Sequence, residues 1–327
     1  MRLGRAALIG SVCIAVIVLA CGVGFAAVPA AGPEPSAPGQ GPAMSLGQSV
    51  ILGIVEGLTE YLPVSSTGHL LIAERLMGIG AGATGAEAQR LKEASDAFTI
   101  CIQAGAIIAV LGLYFRRVKQ MLLGLVGKHV QGQRLLINVA AGFLPAAVIG
   151  LLFNKAIKAR LFGPWPVVAA WFVGGLAILV VGWWRRYKRR PLQGGLPLEA
   201  MTWGMALWIG LAQCIAMWPG VSRSLVTIVG GMLVGLSLSA AVEYSFLLGV
   251  VTLGAATAYD ALKHGQLMLQ TFEALPIAVG LFFAFVAAVA SVKWMVAYLN
   301  RHGLAIFGYY RVALALVTAV WIAAGTM

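Results

Sequence analysis

The sequence predicts an all-α polytopic membrane protein, and three observations carry that expectation. Of its 327 residues, 60% are apolar and only 10% charged, against about 45–50% and about 25% in an average soluble domain. Six stretches are long and apolar enough to cross a bilayer core of about 30 Å, which takes about 20 residues of helix. The basic residues, which give a net charge of +12, cluster in the short gaps between those stretches. This composition excludes a water-soluble enzyme and a disordered chain. No nucleic-acid partner is expected, because that would call for a basic face on a soluble module.

Residues 1–44 read as separable from the rest. Arg2 and Arg5 precede an apolar run from Ala6 to Ala20, and a Pro/Gly/Ala-rich linker follows. Such a pattern is that of a secretory signal or an uncleaved anchor. Both fates stay open.

Residues 45–327 read as one membrane-embedded domain in two halves, about 45–190 and 198–327. The first half opens with Leu46–Met77, apolar at both ends and polar in the middle. The spans Ala97–Phe115, Leu135–Phe153 and Trp165–Trp184 follow. The second half opens with Met201–Leu236, which has the same design, and continues with Ala240–Tyr259, Leu275–Tyr298 and Leu304–Ala324. Each span must be helical, because lipid offers no partner to backbone polar groups. Each arm of the two polar-centred segments is too short to cross, so both are expected to be re-entrant hairpins with the turn buried in protein.

A shift of 157 positions places Gly53 on Gly210, Glu56 on Gln213, Val64 on Val221 and Ser65 on Ser222. An internal duplication is therefore expected. The basic clusters Arg116–Lys119 and Arg185–Arg190 are expected on the cytoplasmic side. Counting spans from them gives the halves opposite topology, an inverted repeat with its site near the midplane.

The polar groups inside the apolar segments are the candidate chemistry, since charge at membrane depth is costly. Glu56 and Glu60 are four apart and share one helix face. Such a pair can hold a divalent cation or work as an acid and a base. Pro63-Val64-Ser65-Ser66-Thr67-Gly68-His69 follows at once. Ser66 is a candidate nucleophile and His69, three residues on, its acid/base partner. Ser65 and Thr67 add hydroxyls, and successive backbone N–H groups at such a turn bind anions. In the second hairpin, Arg223 stands between Ser222 and Ser224 with Thr227 one turn further. An embedded arginine among hydroxyls suits a phosphate. Together these groups describe a site for a phosphorylated lipid.

The stretch Glu56-Gly57-Leu58-Thr59-Glu60-Tyr61-Leu62-Pro63-Val64-Ser65-Ser66-Thr67-Gly68-His69 resembles the first signature of the bacterial undecaprenyl-diphosphate phosphatases, the bacitracin-resistance family. Pro219-Gly220-Val221-Ser222-Arg223-Ser224, with Thr227 and Gly230-Gly231-Met232, is similar to the second. The resemblance runs from about Leu46 to the C-terminus; the leader departs from it. It implies hydrolysis of the C55 isoprenoid diphosphate to the monophosphate and phosphate, which recycles the carrier for cell-wall assembly. It also implies dependence on a divalent cation, Mg2+ or Ca2+. By motif position Glu56 and Glu60 would hold the metal or manage protons, and Ser66 and His69 would act as nucleophile and acid/base partner. Arg223 would grip the diphosphate, with Ser222, Ser224 and Thr227 in support. The expected setting is the bacterial inner membrane, with the site reached from the periplasmic side. The partners are the lipid substrate and the bilayer, with a homodimer as one assembly open to it. Whether Ser66 or water attacks stays open. So does a second class of function, a polyprenyl-phosphate transporter, because broken helices in inverted repeats are also the plan of secondary transporters.

Overall fold

The computed structural model describes residues 44–325 apart from residues 81, 162, 189, 190, 192 and 193, and gives the backbone alone for 154–160. The leader and linker expected over 1–44 lie, except for Met44, outside the described residues.

The described chain is helical, without strands. Helices α1 (Leu46–Thr59) and α2 (Ser66–Leu76) form the first hairpin. Then come α3 (Gly85–Leu113), α4 (Phe115–Leu125), α5 (Val130–Leu161) and α6 (Pro164–Tyr187). The second hairpin is α7 (Trp203–Gln213) and α8 (Arg223–Leu233), followed by α9 (Leu238–Thr271), α10 (Ala274–His302) and α11 (Ala305–Ala323). Six of these, α3, α5, α6, α9, α10 and α11, are long and apolar enough to cross a membrane. They are the six expected spans, and the chain is a multi-pass membrane protein.

The hairpin arms are short for a physical reason that the sequence already contains. Helix α1 starts at a capping box: Ser45 Oγ accepts from the Gln48 N–H at 3.2 Å, and Gln48 Oε1 accepts from the Ser45 N–H at 2.9 Å. It runs 14 residues, about 21 Å at 1.5 Å per residue, before Pro63 and the polar turn stop it. Helices α2, α7 and α8 have 11 residues each. None reaches across about 30 Å of hydrocarbon, so the chain turns back. All residues from Glu60 to Ser66 are buried, as are Pro219 to Ser222. Irregular backbone at that depth survives only when protein covers it.

The structure differs from the sequence reading in two ways. Residues 116–134, expected to be a loop, begin with the helix α4. Its Phe115, Leu122 and Leu125 are exposed beside the exposed Arg116 and Lys119. That is the character of a helix lying in the headgroup region, and its charge density hides it from a search for apolar runs. Helices α3 and α9 also extend past the apolar stretches, because their polar turns continue the same helix.

The packing pairs each half with the other. Helix α1 lies on α10 and α7 on α5, α3 on α9, and α6 on α11. Exchanging the corresponding helices of the two halves leaves this set unchanged. Two of the close crossings fall on glycines at matching positions. A Cβ at Gly53 would run into the Gly280 carbonyl, and one at Gly210 into the Gly142 backbone. Around the two turns the core contains Tyr61, Leu62, Val64, Leu225, Ile228 and Phe246. The first turn is thus held against the second hairpin and α9.

Candidate active site

The end of α1 and the start of α2 bring the first set of groups together. The Ser66 hydroxyl donates to Glu60 Oε2. Glu60 Oε1 faces Arg223 Nη2 at 3.5 Å, an ion pair between the two hairpins. Arg223 Nη1 donates to the Ser245 carbonyl at 3.0 Å, and the guanidinium lies 5.3 Å from the centre of the Tyr61 ring. Among the described residues its Nε has no hydrogen-bond partner. Ser66, Glu60 and Arg223 therefore form one connected group, with the carboxylate between the hydroxyl and the cation. Glu243, the other embedded acid, is engaged elsewhere: it accepts from Arg117 Nε at 2.7 Å.

Ser65 is the residue before α2 and has φ 73° and ψ 101°, with no side-chain cap on the helix. Ser222, before α8, has φ 75° and ψ 115°, and its hydroxyl does accept from the Leu225 N–H. The start of α2 thus presents N–H groups that no side-chain cap occupies. A helix start of this kind attracts an anion, and the Ser66 hydroxyl is in its first turn. Thr67 is exposed beside it among buried neighbours.

The hydroxyls expected to grip phosphate in the second hairpin have protein partners. Ser224 Oγ donates to the Leu62 carbonyl at 2.7 Å, and Ser222 Oγ shares a hydrogen bond with Ser224 Oγ at 3.0 Å. Thr227 Oγ1 lies 2.9 Å from the Arg223 carbonyl and 2.6 Å from Ser245 Oγ. These groups tie the hairpins together and brace Arg223.

His69 also has partners other than Ser66. Its Nδ1 is 2.6 Å from the Ser65 carbonyl. A carbonyl only accepts, so Nδ1 carries the proton, and in the neutral ring Nε2 accepts from the Tyr310 hydroxyl at 2.7 Å. The Tyr310 ring stacks on the imidazole, with centroids 5.8 Å apart. For His69 to take the Ser66 proton directly, one of these two bonds must open.

Residues that the sequence reading passed over complete the site. Arg311, with no exposed surface, donates to the carbonyls of Pro63 at 3.3 Å, Ala170 at 2.9 Å and Gly220 at 2.9 Å. Trp171 Nε1 donates to the Val64 carbonyl at 3.0 Å. The carbonyls of Leu62, Pro63 and Val64 are therefore held by Ser224, Arg311 and Trp171 in turn. The signal for Arg311 was present: a cation inside an apolar span. Tyr310 and Trp171 carried none, since aromatic residues in a span read as packing.

Glu56 is 1% exposed, and among the described residues neither of its carboxylate oxygens closes a hydrogen bond. Among the described residues no group of three or more His, Cys, Asp or Glu side chains could hold a metal unaided. Two carboxylates on one helix face do fit a magnesium-like cation, which is commonly bound by one or two carboxylates with waters and substrate phosphates filling the rest. The orphaned Glu56 oxygens are what such a cation would satisfy.

Residues 49–317 match the family described as bacitracin resistance protein BacA. The chain belongs to the BacA family. Among curated relatives, the undecaprenyl-diphosphatase of Sorangium cellulosum is 48% identical over 81% of this chain and 83% of its own length. Undecaprenyl-diphosphatase 2 of Rhodospirillum rubrum is 44% identical over 83% of this chain and 92% of its own. The undecaprenyl-diphosphatase of Bradyrhizobium diazoefficiens is 40% identical over 85% and 98%. The BacA match covers both hairpins and begins inside α1, three residues after its start. All the site residues described here lie within it.

Proposed function

We propose that the chain is an integral membrane phosphatase that hydrolyses undecaprenyl diphosphate to undecaprenyl phosphate and inorganic phosphate. That reaction returns the lipid carrier to cell-wall synthesis, and removing its diphosphate form is how it would confer bacitracin resistance. The observation that carries the proposal is the Ser66–Glu60–Arg223 group at the uncapped start of α2. The setting is the bacterial inner membrane, with the diphosphate entering between the hairpins from the outer side and the isoprenoid remaining in lipid. The opposed pairing of the halves supports an inverted repeat as its frame.

In this reading Ser66 Oγ attacks the outer phosphorus while its proton passes to Glu60 Oε2. The bond from that phosphorus to the bridging oxygen breaks, and undecaprenyl phosphate leaves. Water then cleaves the phosphoserine and regenerates Ser66. Arg223 and the helix start stabilise the charge on the phosphoryl oxygens, the dominant contribution in phosphoryl transfer. His69 holds the Ser65 carbonyl and so fixes the turn that aims Ser66; an acid/base role for it runs through its bond to Tyr310. Ser65 and Thr67 line the entrance, and Ser222, Ser224 and Thr227 brace Arg223. Glu56 and Glu60 would hold a divalent cation, Mg2+ or Ca2+, which supplies further neutralisation of phosphate charge.

The test is phosphate release from a long-chain isoprenyl diphosphate by purified protein, with magnesium and with EDTA. Ser66→Ala should abolish release, and Arg223→Ala should lower it about 10²–10³-fold, as removal of one transition-state donor does. An Arg223→Ala variant with more than half the activity would overturn the assignment. Absence of release from folded wild-type protein would leave lipid transport as the better reading.

A further inference from the structure

Glu56 and Glu60 face the site from one helix, yet only Glu60 has its orientation fixed by neighbours. Glu56 is buried with both oxygens unpartnered, in a membrane-embedded helix. The side chain beside it is Gln103, in the middle of α3. Gln103 is itself a polar group within a spanning helix, and it is held from the far side: the Thr257 hydroxyl on α9 donates to Gln103 Oε1 at 3.3 Å. A threonine hydroxyl can donate or accept, so the group that decides which way round the amide stands is the carboxylate on the other side. The amide oxygen faces α9, so its NH2 group is the end left for α1. A carboxylate can only accept, and the NH2 end is the complementary one. Three helices thus contribute to one line, Thr257 to Gln103 to Glu56.

We propose that Gln103 is a positioning residue that sets the Glu56 carboxylate for a divalent cation shared with Glu60, and that Thr257 anchors the Gln103 amide from α9. The proposal rests on the reading of Glu56 and Glu60 as the cation site. Outer partners of metal-binding carboxylates act in this way, by fixing the ligand before the ion arrives, and their loss commonly weakens affinity about 10–100-fold. Gln103 has a length that Met can match, so the amide can be removed with little change of shape.

The experiment is a titration of the detergent-purified protein with Mn2+, read by the paramagnetic resonance signal of the free ion, together with the Mg2+ dependence of phosphate release. Gln103→Met should weaken Mn2+ binding about 10–100-fold and raise the Mg2+ requirement, with activity recovering at saturating Mg2+. Thr257→Val should shift both in the same direction by less, and Thr257→Ser, which keeps the hydroxyl, should restore them. The double variant should bind no worse than Gln103→Met alone, because Thr257 acts only through the amide. Wild-type Mn2+ affinity in Gln103→Met would overturn the proposal, and so would additive losses in the double variant. Activity lowered equally at every Mg2+ concentration would mark a packing role and overturn it too. Glu56→Gln separates the two levels. If it removes Mn2+ binding while Gln103→Met does not, the cation site stands and the role of Gln103 falls. If Glu56→Gln binds Mn2+ normally, the cation site itself is wrong and the proposal falls with it.

Discussion

Ser65 and Ser222 share one backbone conformation, φ 73°, ψ 101° and φ 75°, ψ 115°. Among the described residues they are the only non-glycine residues with positive φ. They are also the pair that the 157-residue shift superimposes. A conformation of this kind costs about 1–3 kcal/mol and persists only where the surroundings impose it. Ser65 caps nothing, so Ser65→Gly should melt at or above the wild-type temperature in detergent. Ser65→Val should be destabilised by more than about 1 kcal/mol, since a branched side chain fits positive φ worst. Equal melting of the Gly and Val variants would show that the turn is unstrained.

Arg311 is buried without a carboxylate to pair with among the described residues, and its donors go to Pro63, Ala170 and Gly220. Arg311→Met leaves the buried Pro63 and Gly220 carbonyls unpaired, at about 1–3 kcal/mol each. The variant should lose at least about 2 kcal/mol of stability and most of its turnover. Arg311→Lys, which keeps the charge but not the planar fork, should fall between. Wild-type melting of Arg311→Met would remove Arg311 from this account.

The bond from Tyr310 to His69 makes a separate prediction. Tyr310→Phe leaves Nε2 of a buried imidazole without a partner, which should cost about 1–3 kcal/mol. If the hydroxyl acts only through His69, its loss should matter little once His69 is replaced. A double-mutant cycle with His69→Ala on phosphate release should give a coupling of about 0.5–3 kcal/mol. Additive losses would show that the two residues work independently.

How much of this was legible in the sequence follows from what each signal measures. The six spans and two hairpins were legible, because apolar length against bilayer thickness is a one-dimensional property. Glu56, Glu60, Ser66 and Arg223 were legible for the same reason: they interrupt that length. Spacing put His69 near Ser66, but three residues of separation fix only a helix face, and the structure gives its two nitrogens to Ser65 and Tyr310. Those contacts depend on α11, 241 residues further along the chain, where no local pattern can register them. Gln103 and Arg311 sat in runs read for their apolar content, and one polar side chain does not change such a run. Helix α4 was hidden by its own charges.

Arg117 joins Glu199, outside the spans, at 2.7 Å and Glu243 of α9 at 2.7 Å. The hydrogen bond from Arg117 holds the Glu199 carboxyl below its ordinary value of 4.5. A carboxylate lowered on folding stabilises the fold above its unfolded value, and that contribution is lost as pH falls through the folded one. Glu199 is 42% exposed, so the contribution should stay under about 1 kcal/mol and weaken in high salt. Wild type should therefore lose a small increment of thermal stability below about pH 4 that Glu199→Gln lacks. Identical acid profiles of the two proteins would show that the pair contributes nothing.

The three consecutive carbonyls of the first turn are held by groups made much later. Trp171 follows Val64 by 107 residues, Ser224 follows Leu62 by 162, and Arg311 follows Pro63 by 248. A ribosome delivers the turn first and its last fastener 248 residues later. A chain halted before α11 carries Ser66, Glu60 and Arg223, with Ser224 and Trp171 on two carbonyls of the turn and the Pro63 carbonyl between them still unheld. The turn that aims the nucleophile is thus complete only once the last helix has docked.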